Sequence, residues 1–218
     1  MHHICFIDDD SDFEIPLFKD VFGNDYDIIA HTSYDGVREQ IDVRSGWTPD
    51  LFVLDLYFPE GVPDTKAVAT LKNTRLALPD DNAGIRTAYT NYLRVRSRLH
   101  DILAAHRQGP DGGLRLAAMV ARDFPEVPIV FYSRKATFED VVRCLATKGV
   151  RWVEKKPSGS TDAETKALTH DQKGGIVRNF NRAIEGQGVS LQSKIPLQDA
   201  ARVTLEAVES LFGSQRKE

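Results

Sequence analysis

The chain has two cysteines, Cys5 and Cys144, in 218 residues, and both fall inside apolar segments. That count excludes a cysteine-built metal site, and buried free thiols are expected rather than a disulfide. No apolar run approaches the ~18 residues that a membrane span needs. Met1 is followed almost at once by a strand-like segment instead of a secretory leader, so the expected location is cytoplasmic, with no membrane partner. An excess of one charge sign is also missing: 28 Lys and Arg stand against 32 Asp and Glu, for a net charge of −4. Mild acidity argues against a whole-surface nucleic-acid binder. The six histidines show no spacing that pairs one with a second metal ligand, and there is no internal repeat or low-complexity stretch.

What is present is a 41% hydrophobic chain in which short apolar runs alternate with helical patterns. That is the habit of a parallel sheet covered by helices on both faces. Strands are expected at Ile4 to Ile7, Tyr26 to Ala30, the LFVL run ahead of Asp55, Pro128 to Tyr132, and Val150 to Glu154. Helical periodicity predicts helices over 12–23, 34–47, 113–124 and 137–148, and a fifth within 171–185, where Ile176, Val177, Phe180 and Ile184 share one face. Residues 62–109 break the connection after the third strand with far more chain than the usual loop of about two to six residues. Helices are expected there near 64–73 and over about 82–107, followed by another in the tail through Ala200, Val203, Val208, Leu211 and Phe212. The expected organisation is a domain over 1–187, interrupted by a helical insertion at about 62–109, and a helical extension over 188–218.

In a doubly wound sheet the carboxyl ends of the strands converge on one crevice. The residues expected there are Asp8, Asp9 and Asp10 after the first strand, Asp55 after the third, Ser133 after the fourth and Lys156 after the fifth. Gathered carboxylates repel unless a cation or shared protons neutralise them. An all-oxygen donor set with one or two direct carboxylates suits Mg²⁺, which keeps several waters and usually meets a phosphoryl group. The serine and lysine then serve as ligands for phosphoryl oxygens.

These motifs resemble the receiver domain of two-component response regulators. The residues that carry the resemblance are Ile7-Asp8-Asp9-Asp10, the run DLFVLDLYFPEG with Pro59 four residues beyond Asp55, DGGLRL at 111–116, PIVFYS ending at Ser133, and GVRWVEKKP ending at Lys156-Pro157. The order of five motifs makes the resemblance specific, over residues 1–61 and 110–186. It implies a flavodoxin-like receiver fold, an α/β doubly wound five-stranded parallel sheet of order 2-1-3-4-5. It further implies that Asp55 accepts a phosphoryl group from a histidine kinase or a histidine phosphotransfer protein. By the same resemblance Asp8, Asp9, Asp55 and the main-chain carbonyl of Tyr57 hold Mg²⁺, Ser133 bonds the phosphoryl group, and Lys156 pairs with it. Lys156 is preferred to Lys155 because it directly precedes Pro157 and stands seven residues after Gly149.

The chain departs from the family pattern in three places. Arg134 follows Ser133 where the family keeps a small residue, so its guanidinium is expected to shield or bind the acyl phosphate. Val153 stands where the family often has a switching aromatic, with Trp152 beside it. The third departure is the insertion, whose arginines 86, 94, 96, 98 and 107 face a single acid, Asp101, within its expected long helix.

The expected function is a phosphorylation-dependent switch that signals to a downstream protein target and is not an enzyme beyond self-phosphorylation and hydrolysis of its own acyl phosphate. DNA is not an expected partner, because the segment after the fifth helix shows no helix-turn-helix pattern. A homodimer stays open. Two alternatives are a pseudo-receiver adaptor without phosphorylation and a haloacid dehalogenase-type phosphatase with Asp8 as nucleophile in its D-x-D pair, Asp8 and Asp10.

Overall fold

The computed structural model describes residues 1–59, 108–134, 136 and 138–187, with the single positions 97 and 101. In chain order the elements are β1 (His2–Ile7), α1 (Glu14–Phe22), β2 (Tyr26–His31), α2 (Tyr34–Val43), β3 (Leu51–Leu54), β4 (Phe58–Pro59), β5 (Gln108–Gly109), α3 (Pro110–Asp123), β6 (Ile129–Ser133), α4 (Phe138–Leu145), β7 (Val150–Lys155) and α5 (Asp162–Ile184). β1, β2, β3, β6 and β7 form one parallel sheet in the order β2-β1-β3-β6-β7. Counted within that sheet this is 2-1-3-4-5, the order that the resemblance implies. β1 is flanked on both sides: Ile4 pairs with Ile28 on β2 and with Leu51 on β3.

The inner strands read as unbroken apolar runs because both faces are covered. On one face α1 and α5 pack Leu17, Phe18, Phe22, Ile176 and Phe180 against Phe6, Val53 and Tyr132. On the other, α2, α3 and α4 bring Val37, Leu116, Val120 and Cys144 against Ile7, Phe52, Leu54 and Phe131. Cys5 and Cys144 are both buried free thiols.

Several boundaries differ from the sequence expectation. α5 begins at Asp162, well ahead of the expected 171–185 window. Its first turns are held by Thr161, whose hydroxyl accepts the Glu164 N–H at 3.2 Å. α2 stops at Val43 instead of running to Trp47. Gly46, with a φ of 77°, turns the chain there and Trp47 folds back, donating from Nε1 to Oδ2 of Asp27 at 2.6 Å.

A short antiparallel pair that the sequence does not announce joins Phe58 to Gly109 and Pro59 to Gln108. The chain therefore leaves the sheet at β4 and returns beside the same point at β5. Of the intervening stretch only Ser97 and Asp101 are described, both helical and exposed. The rest of the helices expected at 64–73 and 82–107, and the tail helix expected in 188–218, lie outside the described residues. Among the described residues no helix is long and apolar enough to cross a membrane.

Candidate functional site

Four strands deliver polar residues to the same end of the sheet. Asp8 directly follows β1, Asp55 follows β3, Ser133 closes β6 and Lys156 follows β7. β1 and β3 are the neighbouring strands at which the strand order reverses, the place where open α/β sheets leave a crevice. The Asp55 N–H donates to the Ile7 carbonyl at 2.9 Å, so the ladder itself sets Asp55 beside Asp8. All four residues are buried, with exposures of 1% for Asp8, 8% for Asp55, 2% for Ser133 and 4% for Lys156.

Lys156 is the hub. Its ammonium donates to Oδ2 of Asp8, lies 3.2 Å from Oδ1 of Asp55, and stands 3.6 Å from Oε2 of Glu14. Beneath it are the faces of Tyr132 and Phe6, with ring centroids 5.6 and 5.8 Å from Nζ. Those rings belong to an aromatic cluster with Phe18 and Phe180, so the cation rests on a packed apolar floor. Burial alone would discharge Lys156, but Asp55, Asp8 and Glu14 outweigh it and keep the group charged. Asp8 feels the opposite balance. Burial pushes its carboxyl well up; Lys156 opposes the rise, and the charges of Asp55, Glu14 and Asp9 add to it.

The other expected residues divide. Ser133 meets the site through its main chain, its carbonyl accepting the Lys156 N–H at 3.3 Å. Asp9 is partly exposed and close enough for its charge to act on Asp8. Asp10 turns toward α1: its Oδ1 accepts the N–H groups of Asp12 and Phe13 at 3.2 and 3.0 Å, a capping role. The Tyr57 N–H donates to Oδ2 of Asp55 at 3.1 Å, closing the turn after β3. Trp152 and Val153 lie on opposite faces of β7, Val153 against the α2–α4 side and Trp152 against the α1–α5 side. Trp152 therefore does not replace the aromatic missing at Val153.

Glu14 was not legible as a residue of the site, and neither was the partner that Arg134 takes. Glu14, in the first turn of α1, is 5% exposed and contributes a third carboxylate. Arg134 turns to Glu14, its Nη2 pairing with Oε1, and its Nε donates to the Pro157 carbonyl at 3.2 Å. An acid in a first helical turn reads as a favourable dipole partner, and only the crossing of α1 over the strand ends reveals its second use.

Among the described residues no three acidic, histidine or cysteine side chains form a ready-made metal cage. Mg²⁺ seldom uses one, taking one or two carboxylates with waters and phosphate oxygens. The charges fit such an ion: Asp8, Asp55 and Glu14 outnumber Lys156 and Arg134, and burial already drives Asp8 toward taking up a proton. Added positive charge would relieve both.

No protein-family model matches the chain, and no curated protein matches it. Solved structures do. A response regulator from Thermotoga maritima is 10% identical, over 82% of this chain and 99% of that one, with a TM-score of 0.43. The non-phosphorylated HemR receiver domain from Leptospira biflexa is 17% identical over 84% and 94%, also at 0.43. A Burkholderia pseudomallei response regulator with a phosphorylated aspartic acid and a calcium ion is 14% identical over 85% and 75%, at 0.39. In its five-stranded parallel sheet of order 2-1-3-4-5 with helices on both faces, the chain is similar to these response regulator receiver domains.

Proposed function

We propose that the chain is a phosphorylation-dependent switch that receives a phosphoryl group on Asp55. The observation that carries this reading is the single ammonium of Lys156 shared between Asp8 and Asp55 at the exits of adjacent strands. Asp55 is the acceptor rather than Asp8 because its side chain is 11% exposed against 2%. An Asp55 oxygen forms a bond to phosphorus as the bond between phosphorus and the donor breaks, the electron pair leaving with the donor. Lys156 neutralises charge on the transferring group from a place it already occupies. Mg²⁺ held by Asp8, Asp9, Asp55 and the Tyr57 carbonyl would supply further positive charge to the phosphoryl oxygens. Ser133 is the hydroxyl that follows the new group.

The phosphoryl group adds about −1.5 to −2 charge and new acceptor oxygens. Drawing the β6 exit toward Asp55 biases the surface formed by α4, β7 and α5, which is the proposed output to a protein target. The donor class is a histidine kinase or phosphotransfer protein.

The reading is tested by incubating the protein with a small acyl-phosphate donor with and without Mg²⁺. One phosphoryl group, dependent on Mg²⁺ and removed by hydroxylamine, is expected of an acyl phosphate. Incorporation that resists hydroxylamine would place the group on a hydroxyl and contradict the proposal.

A further inference from the structure

Glu14 and Arg134 are the ionic groups of the site to which phosphorylation on Asp55 gives no task. Glu14 is 5% exposed, and its two oxygens face different cations: Oε1 pairs with Nη2 of Arg134, and Oε2 stands 3.6 Å from Nζ of Lys156. A carboxylate buried to this degree is retained only against strong compensation. Arg134 follows Ser133 directly and is braced by the Pro157 carbonyl at 3.2 Å and by the face of Phe13, 5.8 Å from Cζ. Its side chain is still 23% exposed, which puts the guanidinium at the rim of the site while Lys156 forms its floor.

The arrangement lets Arg134 move without stranding its partner. The Lys156 ammonium has three N–H donors and faces three carboxylates, those of Asp8, Asp55 and Glu14. If Arg134 leaves, Glu14 keeps Lys156. A phosphoryl group on Asp55 would raise the local negative charge and offer several oxygens to a planar fork that suits them better than one carboxylate oxygen does.

Resting on the reading of Asp55 as phosphoacceptor, we propose that Glu14 is a positioning residue that parks Arg134 in the unmodified state. It releases Arg134 to the anion on Asp55, so that Arg134 becomes a phosphoryl ligand. Glu14 and the anion thus compete for one guanidinium. Removing the Glu14 charge tightens anion binding, and removing the Arg134 charge weakens it.

Beryllofluoride with Mg²⁺, an acyl-phosphate mimic when bound to a carboxylate, is the probe, titrated calorimetrically into the full chain. Asp55→Asn is the control that locates the anion. Glu14→Gln is expected to bind about tenfold tighter than wild type and Arg134→Gln about tenfold weaker, with the double variant resembling Arg134→Gln. Arg134→Lys, which keeps the charge and loses the fork, should fall between wild type and Arg134→Gln. In nitrogen-15 spectra the Arg134 Nε–H resonance should move on adding the probe. A structural ion pair would shift Glu14→Gln and Arg134→Gln in the same direction, so same-sign or absent effects on a wild type that does bind overturn the parking of Arg134 alone. No binding by wild type or by Glu14→Gln overturns the phosphoacceptor reading and this inference with it.

Discussion

The Tyr57 hydroxyl donates a 2.6 Å hydrogen bond to Oδ2 of Asp140, tying the turn two residues past Asp55 to α4. Both residues are buried, at 0% and 3% exposure. Burial, with the Asp140 charge and hydrogen bond adding to it, pushes the Tyr57 phenol up, so it remains a donor across the ordinary pH range. Tyr57→Phe is expected to cost about 1–3 kcal/mol, because the acceptor loses a buried partner. The urea midpoint measures this. Asp140→Asn, which keeps an acceptor oxygen, should cost less, and an unchanged midpoint in Tyr57→Phe would show that the bond does not hold α4.

Lys156→Met leaves the three carboxylates that face its ammonium without their shared cation. Breaking one side of a buried ionic group costs about 3–5 kcal/mol. The loss should appear in equilibrium unfolding and be partly recovered by adding Asp8→Asn, which removes one of the stranded charges. A Lys156→Met protein as stable as wild type would mean that the cluster is not compensated through this lysine.

The Asp123 carboxyl offers a test of pH dependence away from the site. A hydrogen bond from Arg122 and a second from the Tyr34 hydroxyl at 2.8 Å, helped by the charges of Arg122 and Arg38, hold it down at about 2 against the opposing effect of burial. A depressed carboxyl contributes stability that is fully present above its unfolded value of about 3.9 and is lost as pH falls through the folded value. Unfolding midpoints measured between about pH 4 and 2 should therefore fall less steeply in Asp123→Asn than in wild type. Parallel slopes would contradict the assignment.

The strand ends were legible because strands buried on both faces read as continuous apolar runs, so a charge can stand only where the strand emerges. Asp8 and Asp55 were found in that way; Ser133 was placed by the end of its strand, and Lys156, beyond an edge strand that itself carries Arg151, Glu154 and Lys155, by its spacing from Gly149 and Pro157. The start of α5 was not, because its packed face there is made of Thr165 and Thr169, buried at 5% and 1%, and not of aliphatic residues. The Thr169 hydroxyl satisfies itself on the Thr165 carbonyl at 2.8 Å, which lets a polar residue serve as core. Glu14, Asp140 and the pairing of Arg134 were missed for a different reason. Their partners lie on other elements, and no local pattern encodes a crossing of α1 or α4 over the strand ends.

Gly113 marks where α3 crosses the β3 exit. A Cβ there would stand 2.4 Å from the Leu56 carbonyl oxygen and 2.8 Å from that of Asp55, both main-chain atoms. The Gly113 N–H donates to the same Leu56 carbonyl at 3.0 Å, so the close approach is part of the fold. Gly113→Ala is expected to destabilise by about 1–3 kcal/mol and to slow phosphoryl uptake by shifting Asp55. Thermal unfolding and phosphoryl uptake should change together. Wild-type behaviour in both would show that the backbone accommodates the methyl group.

Asp55 as the acceptor is tested most directly by intact mass after incubation with Mg²⁺ and a small acyl-phosphate donor, comparing wild type, Asp55→Asn and Asp8→Asn. The expected result is a single phosphoryl adduct on wild type, none on Asp55→Asn, and a slower but detectable adduct on Asp8→Asn. An adduct that survives in Asp55→Asn and vanishes in Asp8→Asn, or no adduct on wild type at all, would contradict the account.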